Sequence, residues 1–413
     1  MAMDSSRSQH FPSIPIPGSA LRHAYPAWPG EQTALGSPYA DVPLASPFGH
    51  TPGGQTSFEY WYLGVQIPDP NLPKAGLGLE KVPGFHPKEV WEALENLVES
   101  FTVTKDEVDE EYEAADPVKV CHLLLGLTVF QRDALNDYAK SSGVDSLYHW
   151  IHKYCSPYGG AGASREAVET IRGLAEGPLA YDVYVLHATL EGKIKGDELT
   201  LVELICDREE EDLQLLMSEY QKQHDISLVN AIRKKYSGRK LENLLLSVLI
   251  LQRQHDDLPV DEIRVDNDVI ALRNAIEEQD DKTLTELLTK RSKPHIAAII
   301  TKYAAAHGSL RKHIKQRWNA KGLLYIIDGA KSKRDGEGAW RDAKLLEETM
   351  KGLGTQDDKL RYRVIRAHWN TKRFSAVKQA YQERYEKDLD KRIDGDTSGN
   401  YREILQLIYQ AGK

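Results

Sequence analysis

Two short stretches near the C-terminus combine residue types that could bind a hard cation. The first is Met350–Thr355 (MKGLGT), and the second, some forty residues later, is Gly395–Gly399 (GDTSG). Glycines at alternate positions allow a short loop to turn its carbonyls inward, because glycine has no Cβ to clash in such turns. Ca²⁺ prefers roughly six to eight oxygen ligands. The carbonyls of Met350, Gly352 and Gly354 with the carboxylate of Asp396 would supply about half of these, and water or an outside ligand the rest.

The first stretch also has a purely structural interpretation. A Gly-x-Gly-Thr segment can be a turn between two helices, in which Thr355 is the N-cap and Asp358 closes a Thr-x-x-Asp capping box. The two interpretations are compatible, since a turn of this kind could cap a helix and bind a cation at once.

These residues resemble the type II calcium site of the annexins, in which a Met-Lys-Gly-x-Gly-Thr loop is completed by an acidic residue after a three-helix interval. All six residues of Met350–Thr355 agree with the family motif, and Gly395–Gly399 resembles the segment that carries the carboxylate. The resemblance implies that Met350, Gly352, Gly354 and Asp396 bind Ca²⁺. It also implies that Lys351 could contact a lipid headgroup phosphate and that Leu353 could enter the membrane interface.

The chain repeats itself from about residue 87 onward. Tyr138, Tyr220, Tyr303 and Tyr381 lie 82, 83 and 78 residues apart. Each is followed by a leucine and an isoleucine four residues apart, and the pairs are Leu147/Ile151, Leu228/Ile232, Leu310/Ile314 and Leu389/Ile393. Such a pair lies on one face of a helix. The spacing predicts four copies of one helical unit.

The predicted fold class is therefore all-α, with four annexin-like repeats of about five helices each. The predicted repeats span 87–177, 178–258, 259–334 and 335–413, after an N-terminal head of residues 1–86. Two further echoes support the repetition. Glu203–Arg208 recurs as Glu286–Arg291, and one aspartate in each of the last three repeats is predicted to open a helix before the variable loop, namely Asp182, Asp268 and Asp342.

The head holds thirteen of the nineteen prolines, which predicts a flexible, largely disordered segment. Within it, Phe58–Leu63 is apolar enough to dock on the helical body or to recruit a protein partner. Lys74–Gly78 looks like a second calcium loop, but it lies among prolines and no helix start follows it. A second calcium site there is rejected.

The other three repeats lack the calcium signature. Repeat 1 has Val98–Thr104 without glycine, although Thr104 and Glu107 could form a capping box, and Tyr154–Gly162 where the acid should be. Repeat 2 has Leu190–Gly196, with Lys235 at the acid position. Repeat 3 has the acidic turn Glu277–Asp281, with Trp318–Lys321 at the acid position. The turn in repeat 3 is interpreted as solvated rather than metal-binding.

Composition limits the classes of function. A formal net charge of −9 over 413 residues argues against nucleic-acid binding and against unaided attraction to an acidic membrane. The three cysteines are too few and too scattered for a disulfide framework or a zinc cluster, which favours a reducing compartment. There is no apolar run of about 18 residues and no signal sequence, so any membrane contact is predicted to be peripheral and the location cytoplasmic.

No enzymatic motif is present. Gly159–Ser164 resembles an anion-binding turn, but it lacks the lysine of a phosphate-binding loop and follows no strand. A loop between helices with Ser164 as N-cap is the simpler interpretation. The chain contains neither His-Glu-x-x-His nor Gly-x-Ser-x-Gly.

The sequence therefore predicts calcium-dependent binding to acidic phospholipid membranes through the fourth repeat, and no enzymatic activity. Attachment through one loop should be weak, and self-association on the membrane would strengthen it through avidity. The alternative is a calcium-independent annexin-like scaffold that recruits protein partners through its head.

Overall fold

The computed structural model describes residues 59–70, 82–105, 108–156, 163–193, 198–317, 321–331, 338–352 and 354–411. Helices account for most of this part of the chain. The first unit contains α1 (Pro87–Glu95), α2 (Pro117–Leu125), α3 (Val129–Ser141), α4 (Leu147–Cys155) and the first half of α5 (Arg165–Glu191). Gly177 breaks α5 with a φ of 79°, and Pro178 follows it without an N–H to donate. The second half of α5 is the first helix of the next unit.

Three further units follow the same plan. The second unit adds α6 (Glu198–Ile205), α7 (Glu210–His224), α8 (Leu228–Tyr236) and α9 (Lys240–Leu249). The third unit contains α10 (Glu262–Glu278), α11 (Asp281–Lys290), α12 (Lys293–His307), α13 (Leu310–Arg317) and α14 (Lys321–Gly329). The fourth contains α15 (Ala339–Met350), α16 (Asp357–Trp369), α17 (Thr371–Tyr385), α18 (Leu389–Asp396) and α19 (Gly399–Ala411).

The repeated residues occupy equivalent places in these units. The four tyrosines lie in α3, α7, α12 and α17, the third helix of each unit. The four Leu–Ile pairs lie in the fourth helices, where each leucine is the first helical residue and every member is buried. The prediction of an all-α fold of four five-helix units is confirmed, while the residue at which each repeat begins stays a prediction.

The first unit contains a β-hairpin where the sequence predicted a loop and a capping box. Val98–Lys105 (β3) pairs with Val108–Ala115 (β4) as antiparallel strands, with Val98 opposite Ala115. The capping box at Thr104 is wrong, because Thr104 is a strand residue, and Glu107 lies outside the described residues. The alternation of β-branched and aromatic residues with polar ones favours a strand here. The Phe101 and Tyr112 rings stack across the pair at 5.9 Å.

Part of the predicted head is folded against the helices. Tyr60–Tyr62 (β1) and Val65–Ile67 (β2) form a hairpin, which we call the docking hairpin. The Tyr62 side chain is fully buried, and its hydroxyl donates to Asp182 Oδ2 at 2.8 Å. The same hydroxyl accepts a hydrogen bond from Arg208 Nη1 at 2.7 Å. The predicted docking of this apolar stretch is confirmed, while Phe58 and Lys74–Gly78 lie outside the described residues.

The turn of the docking hairpin joins two units. The Leu63 N–H donates to Asp212 Oδ1 in the second unit at 3.0 Å. The Leu63 carbonyl accepts from Asn370 Nδ2, between α16 and α17 of the fourth unit, at 3.0 Å. The hairpin therefore acts as a polar clamp between these helices.

The three repeated aspartates share one kind of contact, and Asp342 lies in the first turn of α15, as predicted. Asp268 lies in the interior of α10, so the prediction that it opens a helix is wrong. Each carboxylate instead binds an arginine: Asp182 binds Arg208, Asp268 binds Arg291, and Asp342 binds Arg341 and Arg373. Arg208 and Arg291 are the last residues of the two echoed segments, so the repeated arginines and aspartates form the same kind of ion pair in the second and third units.

Tyr62→Phe should lower the free energy of unfolding by about 1–2 kcal/mol, because it removes the hydroxyl that both Asp182 and Arg208 use. Trp61→Phe is the matched control, since Trp61 is 48 % exposed in the same strand. Urea unfolding monitored by circular dichroism measures both. A Tyr62 variant as stable as wild type would show that the clamp contributes nothing.

His368 in α16 should make stability depend on pH. Burial, then the charge of Arg132, lowers the pKa of His368 to about 4. The folded chain therefore favours the neutral ring. The contribution of His368 to the free energy of unfolding is complete above the pKa of the unfolded chain, about 6.5. It is lost as the pH falls from about 6.5 to about 4, which should cost about 3 kcal/mol. Stability measured between these pH values should fall less steeply in His368→Gln.

Candidate metal centre

The Met350–Thr355 loop connects α15 to α16. Helix α15 ends at Met350, and the Gln356 N–H donates to the Thr349 carbonyl at 2.9 Å, which closes the loop. Gly352 and Gly354 have φ angles of 115° and 84°, which residues with a Cβ rarely adopt. A Cβ at either glycine would meet no neighbour within 4 Å, so the need for glycine comes from the backbone alone.

Thr355 connects this loop to the acid segment. Its hydroxyl donates to the Asp396 carboxylate at 2.6 Å and reaches the Asp396 carbonyl at 2.9 Å. The capping-box interpretation is therefore wrong: the N-cap of α16 is Gln356, and Asp358 pairs with Arg361 at 2.7 Å. Helix α18 ends at Asp396, so its last carboxylate lies at the edge of the loop.

The four predicted ligand residues have different surroundings. The Met350 side chain is 1 % exposed, so only its carbonyl is available to the loop. Lys351 is exposed at the loop surface, and Leu353 lies outside the described residues. No atom lies within 4 Å of the position that a Cβ would take at Gly352 or Gly354. The fold thus brings Asp396 to the loop, as the resemblance to the annexin motif implies.

Sequence reasoning missed Arg392, which lies one turn before Asp396 on α18. Its Nη1 donates to Asp396 Oδ1 at 2.9 Å, and its Nη2 donates to the Met350 carbonyl. Its Nε reaches Glu347 Oε2 on α15 at 3.3 Å. Partial burial lowers the pKa of Arg392, but the hydrogen bond and charge of Asp396 raise it more, so the net shift is upward. The only sequence signal was the i,i+4 spacing to Asp396.

The oxygen atoms at this site fit a hard cation. They come from backbone carbonyls and one carboxylate, the ligand types that Ca²⁺ prefers. Two of the groups, the Met350 carbonyl and the Asp396 carboxylate, already face one positive charge. Within the described ranges no group of three or more His, Cys, Asp or Glu side chains could hold a metal, so a site here depends on carbonyls.

In the second unit, the ammonium group of Lys235 lies at the equivalent loop. Helix α5 ends at Glu191, and Gly192 caps it with a φ of 73°. Lys235 Nζ donates to the carbonyls of Thr189, at 3.0 Å, and Leu190. An ammonium thus binds the helix-end carbonyls at the position that an acid would take in a calcium site. Residues 194–197 lie outside the described part of this loop.

The third unit uses its acidic turn to start a helix. Asp280 is the N-cap of α11 and accepts from the N–H groups of Lys282 and Thr283 at 3.0 and 3.1 Å. Asp281 pairs with Lys240 at 2.6 Å. Both carboxylates therefore have partners, which agrees with the interpretation of a solvated turn. Residues 318–320 of the acid position are not described.

In the first unit the hairpin replaces the loop, and residues 157–162 of the acid position lie outside the described ranges. Ser164 is the N-cap of α5, as predicted, because its Oγ accepts from the Ala167 N–H at 3.1 Å. The rest of the Gly159–Ser164 turn is not described beyond Ala163.

Comparison with known proteins identifies the family. The Annexin sequence profile matches residues 181–248 and 341–408. Annexin C1 of Cryptococcus neoformans is 29 % identical, over 96 % of this chain and 81 % of its own length. Annexin D5 of Arabidopsis thaliana is 30 % identical, over 54 % of this chain and 70 % of its own. The chain belongs to the annexin family. The family as a whole supports calcium-dependent phospholipid binding.

Solved annexins share this fold. A structure of annexin A8 superposes with a TM-score of 0.64 at 21 % identity, covering 79 % of this annexin and 96 % of that chain. Calcium-bound annexin (Sm)1 gives a TM-score of 0.58 at 19 % identity, covering 80 % and 92 %. Annexins bind membranes peripherally. Among the described helices of this annexin, none combines the length and apolar character needed to cross a bilayer.

Lys235→Met should lower the free energy of unfolding by about 1 kcal/mol, because the carbonyls of Thr189 and Leu190 lose a charged donor at a helix C-terminus. Lys234→Met removes the same charge one residue away on the exposed face of α8 and serves as the control. Thermal unfolding without calcium compares them. Equal destabilisation by both variants would mean that the effect is one of net charge rather than capping.

Proposed function

We propose that this annexin binds acidic phospholipid membranes through one calcium ion at its fourth repeat. The carbonyls of Met350, Gly352 and Gly354 and the carboxylate of Asp396 are the protein ligands. The supporting observation is the pair of hydrogen bonds from Thr355 to Asp396, because they hold the acid segment against the loop. The Met350 carbonyl and the Asp396 carboxylate also lie close enough together for the Arg392 guanidinium to contact both.

Ca²⁺ would supply positive charge with open coordination positions for lipid phosphoryl oxygens. The protein contributes the positions of the oxygens: two glycines give the loop its curvature, and Thr355 orients the carboxylate. Lys351, which is exposed, could contact a headgroup phosphate, and Leu353 could enter the interface. Because lipid completes the site, calcium and membrane must raise each other's affinity by the same factor.

Membrane attachment should demand much calcium. The site offers a single carboxylate, and calcium sites with few charged ligands lie at the weak end, at about 10⁻⁵ to 10⁻³ M. The second unit uses an ammonium at the equivalent place, and the third uses its carboxylates to cap and pair helices. Self-association on a membrane would add avidity without any new calcium ligand.

Asp396→Asn should abolish calcium-dependent sedimentation with phosphatidylserine vesicles, because it removes the one carboxylate of the site. Asp394→Asn is the matched control, since Asp394 is exposed two residues away and contacts Gln406 and Arg402 instead of the loop. The assay is run across a calcium series for both variants and wild type. Undiminished sedimentation of Asp396→Asn would refute the assignment of the site.

The alternative function is a calcium-independent scaffold that recruits partners through its head. It is supported by the lack of the calcium signature in the other three loops. The docking hairpin refines its test, because Tyr62 and Leu63 contribute to the folded body and should be kept. Deleting residues 1–58 leaves the hairpin in place. Loss of partners with unchanged calcium-dependent lipid binding would assign recruitment to the head, whereas no lipid binding by either form would favour the scaffold.

A further inference from the structure

Arg392 contacts two of the groups that the proposed function gives to calcium. Its guanidinium donates one hydrogen bond to the Asp396 carboxylate and another to the Met350 carbonyl. Those two groups belong to different helices, α18 and α15, so the guanidinium joins the ends of both. No other described side chain donates to the Met350 carbonyl within hydrogen-bonding distance.

We infer that Arg392 is a built-in competitor of calcium, whose guanidinium binds the Met350 carbonyl and the Asp396 carboxylate when the metal is absent and must leave when it binds. The inference rests on the proposed function, since it concerns the same site. A guanidinium and a divalent cation cannot occupy these two oxygen groups together. Each would displace the other from the same oxygens, and their positive charges repel.

The geometry gives the displaced arginine a second partner. Arg392 Nε already lies 3.3 Å from Glu347 Oε2, so the side chain can keep this carboxylate after releasing Asp396. The Tyr381 hydroxyl also donates to Glu347, which holds that carboxylate against α17. The Arg392 side chain is 21 % exposed, so it can also move toward water. Exchange therefore needs a side-chain rotation and leaves no buried charge unpaired.

Lys235 in the second unit offers a comparison. Its ammonium donates to the carbonyls of Thr189 and Leu190 at the end of the equivalent helix. A divalent ion that displaced Lys235 from these two contacts would gain two neutral carbonyl oxygens. In the fourth unit the same displacement gains Asp396 as a ligand. The contacts of Arg392 thus include a carboxylate that calcium could use, whereas the contacts given for Lys235 are to carbonyls.

Two consequences follow for the fourth repeat. Without calcium, Arg392 satisfies the Met350 carbonyl and keeps α18 attached to α15, so the loop retains its shape. With calcium, part of the binding free energy is used to displace the guanidinium, so the observed affinity is weaker than the ligands alone would give. Removing Arg392 should therefore strengthen calcium binding while weakening the calcium-free protein.

The test compares Arg392→Met with Arg402→Met in the full chain. Arg402 lies on α19, pairs loosely with Asp394 at 3.7 Å, and is the matched control for loss of one positive charge near the loop. Calcium binding is measured by titration calorimetry without lipid, and thermal unfolding is measured in chelator and in calcium. Sedimentation with phosphatidylserine vesicles gives the calcium concentration at half-maximal binding.

Arg392→Met should bind calcium at least tenfold more tightly than wild type, and its half-maximal sedimentation should shift to a correspondingly lower calcium concentration. Its melting temperature in chelator should fall, while the rise on adding calcium should grow. Arg402→Met should follow wild type in both respects. Where the methionine variant does not fold, Arg392→Gln replaces it, because glutamine keeps a neutral donor toward Met350.

Equal or weaker calcium binding by a folded Arg392 variant would overturn the inference. A different result would refute the proposed function. Asp396→Asn is introduced into wild type and into Arg392→Met; if neither loses calcium affinity, calcium binds elsewhere. If neither binds calcium at all, both the proposed site and the competitor assigned to it are refuted.

Discussion

The carbonyls at the C-terminal end of a helix have no partner within that helix, and this constraint explains how the four units differ. The first helix of each unit solves it separately. In the first, backbone N–H groups of Asn96 and Leu97 turn back before the hairpin. In the second, Lys235 donates an ammonium; in the third, the Asp280 N–H reaches the Ala275 carbonyl. In the fourth, Arg392 bridges Met350 to Asp396.

These solutions determine where a metal could bind. A backbone N–H satisfies a helix-end carbonyl without any cation, as Asp280 N–H does for Ala275, and in the second unit the Lys235 ammonium donates to two such carbonyls. The fourth unit differs because the Arg392 guanidinium donates both to the Met350 carbonyl and to the Asp396 carboxylate, which lie on different helices. Under the proposed function calcium would use both groups, and Gly352 and Gly354 give the loop between them its positive φ angles. A chain with net charge −9 would then meet an acidic membrane through this one neutralised point.

The sequence predicted most of the fold because its periodic positions are buried. The fourth-helix Leu–Ile pairs and three of the third-helix tyrosines are buried, and Tyr138 packs partly buried against the core, so their spacing follows the repeat. The Asp396 segment was assigned to the loop from its resemblance to the annexin motif, and Thr355 does contact Asp396. Arg392 was missed because an i,i+4 Arg–Asp pair is ordinary on a helix surface, and its contact with Met350 exists only in three dimensions. The hairpin was missed because Val98–Thr104 was aligned with helix-connecting loops of the other units.

The number of calcium ions bound per chain tests the central claim most directly. Equilibrium dialysis with labelled calcium and phosphatidylserine vesicles counts them at saturation, for wild type and Asp396→Asn. The account predicts one calcium ion per wild-type chain and none in the variant, because the other three loops satisfy their helix ends without a metal. Several ions per chain, or one ion that persists in Asp396→Asn, would contradict it.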